Sequence, residues 1–207
     1  MSAAPPGYHK LEDLGRVRLS RSFFLRDFLY SETANFFGLQ NIPDNPDLAI
    51  EAGKRLCAEV LEPLQSAFGR IHIRSAFRSE LVNRECRVHG LNCAPNERAR
   101  GAHIWDSPDE DGVKGAMACI VVPWLIDACA AGMDWREMAW WIHDRLNYGA
   151  AIFYAPLLAF NISWSEAPKR VLVNRIDEPN AVLSPPGGPG SSVLAGAYAD
   201  LSRRLRS

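Results

Sequence analysis

The stretch from residue 60 to residue 83, VLEPLQSAFGRIHIRSAFRSELVN, contains the two changes of hydrophobic period that decide the fold. Its first part ends an amphipathic helix that begins near Leu48, since apolar residues recur at helical spacing as far as Gly69. From Arg70 onward, apolar and polar residues alternate, as they do in a strand with one buried face. Residues 80–88 return to the helical period. The stretch therefore predicts a helix, a strand and a second helix in one domain.

Further helices and strands are predicted on both sides of this stretch. Upstream there is a short helix rich in phenylalanine, followed by a helix that Ser31 can cap. Downstream, the apolar run GAMACIVVP predicts a strand, two helices follow, and GAAIFYAP, LAFNISWS and KRVLVN predict three more strands. We therefore expect an α+β domain over residues 19–178, with a central antiparallel sheet packed by the helices at 48–68 and 134–147.

The two ends of the chain differ in composition from this domain. Residues 1–18 are polar and contain prolines, which predicts an N-terminal arm. Residues 179–192 include SPPGGPGSS, which is typical of a flexible linker. Residues 193–207 predict an amphipathic C-terminal helix. Because short isolated helices are marginal in water, we expect this helix to dock either on its own domain or on a protein partner.

The composition of the chain argues against several classes of protein. A chain of 207 residues that is 47% hydrophobic can bury one substantial core. Its 23 basic and 24 acidic residues nearly balance, so no broad basic surface for nucleic acid is expected. No apolar run approaches the roughly 20 residues that span a bilayer, and the N-terminus lacks the pattern of a secretory signal. We therefore expect a protein made in the cytoplasm without a signal peptide or membrane span.

The cysteines do not form a recognisable metal-binding motif. There are five of them, an odd number, at irregular spacing, and no C-x-x-C occurs. Cys86 and Cys93 are too far apart in sequence for a zinc knuckle. We expect mostly reduced thiols.

The order of the segments resembles the zinc D-Ala-D-Ala carboxypeptidase family of the Hedgehog/DD-peptidase fold. LSRSFFLRDFLYSETANFFGLQNIP resembles the segment with which the family domain begins, VLEPLQSAFG resembles its V-L-E-P-L-R-x-x-F-G helix, and RSAFRSELVN resembles its S-S-G-Y-R-S-x-x-x-N segment. WIHDRL and FNISWSEAPKR resemble its late helix and closing strand. The resemblance runs in the same order from Leu19 to Val173 and implies the fold of that family.

In that family a histidine and an aspartate from S-x-H-x-x-G-x-A-x-D hold zinc together with a histidine from W-x-H-x-S. Three protein ligands leave the fourth position to a water molecule, whose pKa the metal lowers. A glutamate on the neighbouring strand then takes the proton of that water. The resemblance therefore implies three zinc-ligand positions and one general-base position in this chain.

Only one of these four positions keeps the family's residue type. His103 matches the first ligand, but the aspartate position is Cys119, the second histidine position is Asn161 and the glutamate position is Tyr154. A thiolate can bind zinc, whereas a neutral amide oxygen is a poor zinc ligand. We therefore expect no cofactor and a scaffold that has lost hydrolysis.

A cleft for a ligand is nevertheless expected from the resemblance. Arg78 matches the arginine that contacts the substrate or the transition-state oxyanion in the family. The residues expected to line the cleft are Ser75, Arg78, His103, Cys119, Tyr154 and Asn161. We interpret the protein as a catalytically inactive binding or structural module, with a peptidoglycan stem peptide as a candidate ligand. Since family members occur in phage particles, a component of a virion or tail-like assembly is a further hypothesis.

The alternative is an active zinc carboxypeptidase or peptidoglycan peptidase with a rearranged metal site. Its candidate ligands are His103, Asp106, Cys119 and His143. The simpler interpretation of the acidic insert DSPDEDG, which begins at Asp106, is a solvated loop that lengthens a connection between elements. The corresponding simpler interpretations are a solvated helix histidine for His143, a buried inert thiol for Cys119 and a hydrogen-bonded core histidine for His103.

Overall fold

The computed structural model describes residues 8–154, 157–174, 181–184 and 195–205. These residues form a six-stranded sheet with helices packed against it, which confirms the expected mixed architecture. The helices are α1 (Tyr8–Gly15), α2 (Arg26–Leu29), α3 (Glu32–Phe37), α4 (Pro46–Leu56), α5 (Glu62–Phe68), α6 (Glu80–Val88), α7 (Asn96–Ala99), α8 (Pro123–Ala130), α9 (Arg136–Arg145) and α10 (Ala199–Arg204). The strands are β1 (His72–Ser75), β2 (Gly115–Val121), β3 (Ala150–Tyr154), β4 (Ala159–Ser165), β5 (Val171–Asn174) and β6 (Ala181–Ser184).

The sheet is mixed rather than purely antiparallel. Its strand order is β1-β2-β4-β3-β5-β6. All neighbouring strands are antiparallel except β3 and β5, which are parallel, so the expected all-antiparallel sheet is wrong at this pair. The reason is that β4 runs back along β3 and ends beside the start of β3. The short connection at 166–170 then carries the chain to the free edge of β3, where Val171 pairs with Ala150 in the same direction.

One long helical segment forms the centre of the core. α4 and α5 are joined by a π-helical turn at Cys57–Leu61, so the chain is helical from Pro46 to Phe68. The side chain of Asn45 accepts a hydrogen bond from the backbone N–H of Leu48 at the start, and Gly69, with φ of 78°, ends the segment. The predicted helix at 48–68 is thus confirmed.

This helical segment covers the apolar face of the sheet. Its buried residues include Ala49, Ala52, Leu56, Val60, Leu61 and Leu64. They belong to the same core cluster as Ala118 and Ile120 of β2 and Phe160 and Ile162 of β4. The side chains that alternate with these strand residues therefore point to the opposite face of the sheet.

The segment expected as an N-terminal arm contains helix α1. Leu14, at the end of this helix, and Val17, just after it, pack against the core, so the arm prediction is wrong for these residues. Apolar contact with the rest of the domain holds them in place. Residues 1–7 of the predicted arm lie outside the described part of the chain.

The predicted linker and tail also contain parts that belong to the domain. β6 lies within residues 179–192 and pairs with β5, so this part of the segment is a strand and not a linker, while residues 185–192 lie outside the described residues. A 3₁₀ turn at Ala195–Tyr198 leads into α10. Tyr198 and Leu201 are buried, and the backbone N–H of Leu201 donates to Glu137 Oε2 of α9 at 2.8 Å. The C-terminal helix therefore docks on its own domain.

A disulfide bond joins Cys86 and Cys93, whereas Cys57, Cys119 and Cys129 are free. The expectation of mostly reduced thiols is therefore wrong for this pair. α6 ends just after Cys86, and the chain then reverses at Gly90, whose φ is 68°. The reversal brings the two Cα atoms to 5.8 Å, a separation that a disulfide spans readily.

None of the helices that the structure describes is both long enough and apolar enough to cross a bilayer.

We expect Leu201→Ala to lower the free energy of unfolding by about 2–5 kcal/mol, because it leaves a cavity at a fully buried side chain. Urea denaturation measures the change. Leu81→Ala on α6, where the leucine is 41% exposed, is the matched control and should change stability by less than about 1 kcal/mol. Equal effects of the two substitutions would show that α10 is not part of the core.

Candidate functional site

A cavity of about 360 Å³ lies on the face of the sheet opposite the core helices. All six residues that the sequence placed in the cleft line it. They are Ser75, Arg78, His103, Cys119, Tyr154 and Asn161. The remaining lining residues come mainly from the start of α3 and from the turn after α6. The structure thus brings together residues that are far apart in sequence, from Ser75 to Asn161.

The floor of the cavity is a row of polar residues across three strands. Ser75 of β1 is opposite Cys119 of β2, and Cys119 is opposite Asn161 of β4. Directly opposed residues have Cβ atoms about 4.5–5.5 Å apart, so the three side chains are neighbours. A β-bulge between Ile73 and Ser75 alters the alternation in β1. The antiparallel register, not proximity in sequence, therefore assembles this row.

Asn161 uses its amide within the protein. Its Nδ2 donates a hydrogen bond to the hydroxyl of Tyr154 at 3.2 Å. Tyr154 lies on the same face of β3 as Ile152, which is the register partner of Asn161. The residues at the family's second-histidine and glutamate positions therefore bind each other.

Arg78 is held in place by its backbone. Its N–H donates to the carbonyl of His103 at 2.8 Å, and the neighbouring N–H of Ser79 donates to Asn41 Oδ1 at 2.8 Å. Asn41 Nδ2 in turn donates to the carbonyl of Phe77 at 2.8 Å. These bonds fix the turn between β1 and α6, and hence the point from which the guanidinium enters the cavity.

The guanidinium of Arg78 has no carboxylate partner within 4.0 Å among the described residues. Its Nη1 contacts the sulfur atoms of Cys86 and Cys93. Its Nε is buried and has no hydrogen-bond partner in the described part of the chain. Burial lowers the pKa of Arg78 to about 10, while Tyr154 and Cys119 oppose the change. The group is therefore still a cation at neutral pH.

His103 is a neutral hydrogen-bonding group. Its Nδ1 lies 2.7 Å from the carbonyl oxygen of Ala76. Because a carbonyl only accepts, Nδ1 carries the proton and Nε2 keeps its lone pair. Burial, together with the positive charge of Arg78, lowers the pKa of His103 to about 3. This geometry agrees with the interpretation of His103 as a hydrogen-bonded core histidine.

The residues at the family's metal positions do not fit zinc. Burial raises the pKa of Cys119, with Arg74 opposing it, so the group is a neutral thiol near pH 7 rather than a thiolate ligand. Asn161 offers only a neutral amide oxygen, which is a poor donor for zinc. Among the described residues, no group of three or more His, Cys, Asp or Glu is arranged to hold a metal ion. That the protein binds no metal stays a prediction.

The rearranged ligand set is not assembled either. Asp106 does not line the cavity, and its Oδ2 accepts from the backbone N–H groups of Asp44 and Asn45 at 2.7 and 3.3 Å. His143 lies elsewhere in the core, where its Nδ1 is 2.6 Å from the hydroxyl of Tyr148. Its exposure is only 1%, so the expectation of a solvated helix histidine is wrong. The inward-facing side of α9 carries it into the core.

The acidic insert is an ordered loop. Asp109 Oδ1 accepts from the backbone N–H groups of Asp111 and Val113 at 3.0 and 2.8 Å, which closes a turn. The side chains of Glu110 and Asp111 are exposed, in agreement with a solvated loop, whereas Asp106 is only partly exposed. Asp109 therefore closes the loop, Asp106 ties it to the start of α4, Glu110 and Asp111 are exposed, and none of these four residues lines the cavity.

The sequence did not identify two charged residues of the cavity. Glu32 in the first turn of α3 and Arg74 in β1 both line it. With Arg78, they give the described lining two cations and one anion. The resemblance includes the segment around Glu32, but only the tertiary position of α3 shows that its first turn borders the cavity.

The chain matches no protein-family model, no curated protein and no solved structure.

We expect His103 to make the protein less stable as the pH falls below 6.5. The folded pKa of about 3 lies below the ordinary value of 6.5, so between these values the unfolded chain binds a proton that the folded chain does not. From pH 7 to pH 5, the wild type should lose about 2 kcal/mol more than His103→Gln. Urea denaturation at the two pH values measures the difference. Parallel losses in the two proteins would show that His103 is not buried as described.

Proposed function

We propose that the protein is a binding module with the Hedgehog/DD-peptidase fold, without hydrolytic activity, and that its cavity binds a peptide by the C-terminal carboxylate. The observation that carries this proposal is the guanidinium of Arg78, a partly buried cation at the cavity without a carboxylate partner among the described residues. An unpaired buried charge is costly, and a carboxylate supplies the hydrogen bonds and the opposite charge that it lacks.

The convergence of separate positions supports the proposed fold. His103, Cys119 and Asn161 come from a loop and two strands, and the resemblance aligns each with a zinc ligand. In the structure all three border one cavity. A chance likeness of short sequence segments would give no reason for these positions to meet.

The shape and charge of the cavity support a small anionic peptide end as the ligand. The lining has an excess of one positive charge, from Arg74 and Arg78 against Glu32. Exposed apolar side chains, those of Tyr30, Leu91 and Leu157, also line it. A volume of about 360 Å³ is near the lower end of the range for small-molecule sites. A peptidoglycan stem peptide ending in D-Ala-D-Ala offers one carboxylate and two methyl groups, which suits this combination.

The same side chains argue against hydrolysis. A general base needs a pKa near the working pH. The pKa of His103 is far below that range, and burial raises the pKa of Cys119. Tyr154 is a phenol that accepts a hydrogen bond from Asn161. Glu32 is an exposed carboxylate on α3 and not on the strand beside Asn161. Binding without turnover is the function that this set of groups supports best.

A place in a virion or tail-like assembly is the more distant part of the proposal. It is supported by the occurrence of the zinc D-Ala-D-Ala carboxypeptidase family in phage particles.

We expect diacetyl-L-lysyl-D-alanyl-D-alanine to bind to the oxidised wild type, as measured by isothermal titration calorimetry. Binding should weaken about 10–100-fold in Arg78→Gln, because charge-assisted hydrogen bonds contribute about 1.5–3 kcal/mol. The same loss is expected for wild type with the C-terminal amide of the peptide. Arg70→Gln removes an exposed arginine outside this cavity and is the matched control. Equal affinity for the acid and the amide would refute carboxylate recognition.

We expect the double substitution Cys119→Asp and Asn161→His to create a zinc site with His103. The two strand positions are direct neighbours, so the substitutions restore the aspartate and histidine of the family set. Calorimetry should then show one zinc ion bound per chain, against little binding to wild type. Stoichiometric zinc in the wild type, lost on His103→Ala, would instead favour the active metallopeptidase. Absence of zinc binding in a folded double variant would count against the proposed fold.

A further inference from the structure

The disulfide bond forms part of the wall of the cavity. Cys86 lines the cavity, and so do Leu91 and Asn92, which lie in the turn that the Cys86–Cys93 bond closes. A backbone hydrogen bond closes the same turn, since the N–H of Leu91 donates to the carbonyl of Cys86 at 2.9 Å. Reduction of the disulfide therefore alters residues that line the cavity.

The disulfide also contacts the cation that the proposed ligand needs. Nη1 of Arg78 is 3.7 Å from Cys86 Sγ and is in closer contact with Cys93 Sγ. A disulfide is uncharged, so it leaves the positive charge of Arg78 uncompensated. A thiolate at either sulfur would be an anion beside the same guanidinium, and nearby arginine favours thiolate formation.

The two cysteines of the disulfide differ in solvent exposure, and therefore in their accessibility to a reductant. Cys86 is only 3% exposed, whereas Cys93 is partly exposed. Cys93 also lines a surface cavity of about 590 Å³ to which Arg84 and Arg87 contribute. These cations favour the approach of an anionic thiol, such as glutathione, toward Cys93.

We propose that the Cys86–Cys93 disulfide is a redox switch for the carboxylate site at Arg78. The site binds the peptide carboxylate when the two cysteines are oxidised to the disulfide, and binds it more weakly when they are reduced. This inference rests on the proposed function, because it concerns the same cavity and the same cation. Reduction supplies Arg78 with an internal anion that competes with the carboxylate of the peptide.

The chemistry balances with two equivalents of an external thiol. The first thiolate attacks Cys93 Sγ, the S–S bond breaks, and its electron pair goes to Cys86 Sγ, where Arg78 stabilises the leaving thiolate. A second thiolate attacks the external sulfur of the mixed disulfide and releases Cys93 as a thiolate. The two external thiols end as a disulfide, and the two protein sulfurs take up protons according to their pKa values.

The test compares the binding of diacetyl-L-lysyl-D-alanyl-D-alanine to oxidised and dithiothreitol-reduced wild type by calorimetry. We expect reduction to weaken binding about tenfold or more, the equivalent of losing a charge-assisted hydrogen bond. The double variant Cys86→Ser and Cys93→Ser has neither a disulfide nor a thiolate, and we expect it to bind within about threefold of the oxidised wild type. Circular dichroism and thermal unfolding check that each form is folded.

Two results overturn the proposal, the first by removing the switch and the second by removing the thiolate as its cause. Equal affinity of the oxidised and reduced wild type would show that the redox state does not control the site. Equally weak binding by the reduced wild type and the double serine variant would show that the disulfide acts through loop geometry and not through a thiolate.

A second measurement does not depend on the peptide. The oxidised fraction is determined by mass spectrometry in glutathione buffers for wild type, Arg78→Gln and Arg70→Gln. We expect Arg78→Gln to shift the equilibrium about tenfold toward the disulfide, because the thiolate loses its cation, and Arg70→Gln to leave it unchanged. Absence of this shift refutes the switch. If the shift occurs but the oxidised protein binds no peptide, the proposed function is what fails.

Discussion

The register of β2 between β1 and β4 is the constraint on which the cavity depends. It places Ser75, Cys119 and Asn161 in one row on the face that looks away from the core helices. Because side chains alternate along a strand, a slip of one residue would turn Cys119 into the core and bring Ile120 out. The packing of Ala118 and Ile120 in the helix-covered core opposes such a slip. The hydrophobic core thus fixes the positions of polar residues that do not belong to it.

The second determinant of the cavity is electrostatic. The positions that the resemblance aligns with metal ligands hold a neutral imidazole, a thiol and an amide, so no anion remains among them. The cation at Arg78 is still present. In a site that held a metal and a carboxylate base, such an arginine would be one charge among several. Here Arg78 has no carboxylate partner among the described residues, which is why an anionic ligand and an internal thiolate are the two partners that we propose for it.

The elements that local periodicity and capping determine were predictable from the sequence. The helix ending at Gly69, the cap at Ser31 and the apolar strand through Cys119 are all as expected. The six cleft residues were found through the resemblance, and spacing alone would not have joined them. The parallel pairing of β3 with β5, the disulfide and the burial of His143 all depend on contacts between distant segments. A one-dimensional pattern does not specify such contacts, since each needs the tertiary arrangement first.

The most direct measurement for the central claim is a crystal structure of the oxidised protein with a peptide ending in D-Ala-D-Ala. We predict that the terminal carboxylate lies within hydrogen-bonding distance of the guanidinium of Arg78, and that only a water molecule or a ligand group faces Nε2 of His103. A tetrahedral ion bound by His103 and Cys119, with the peptide carbonyl directed at it, would contradict the account.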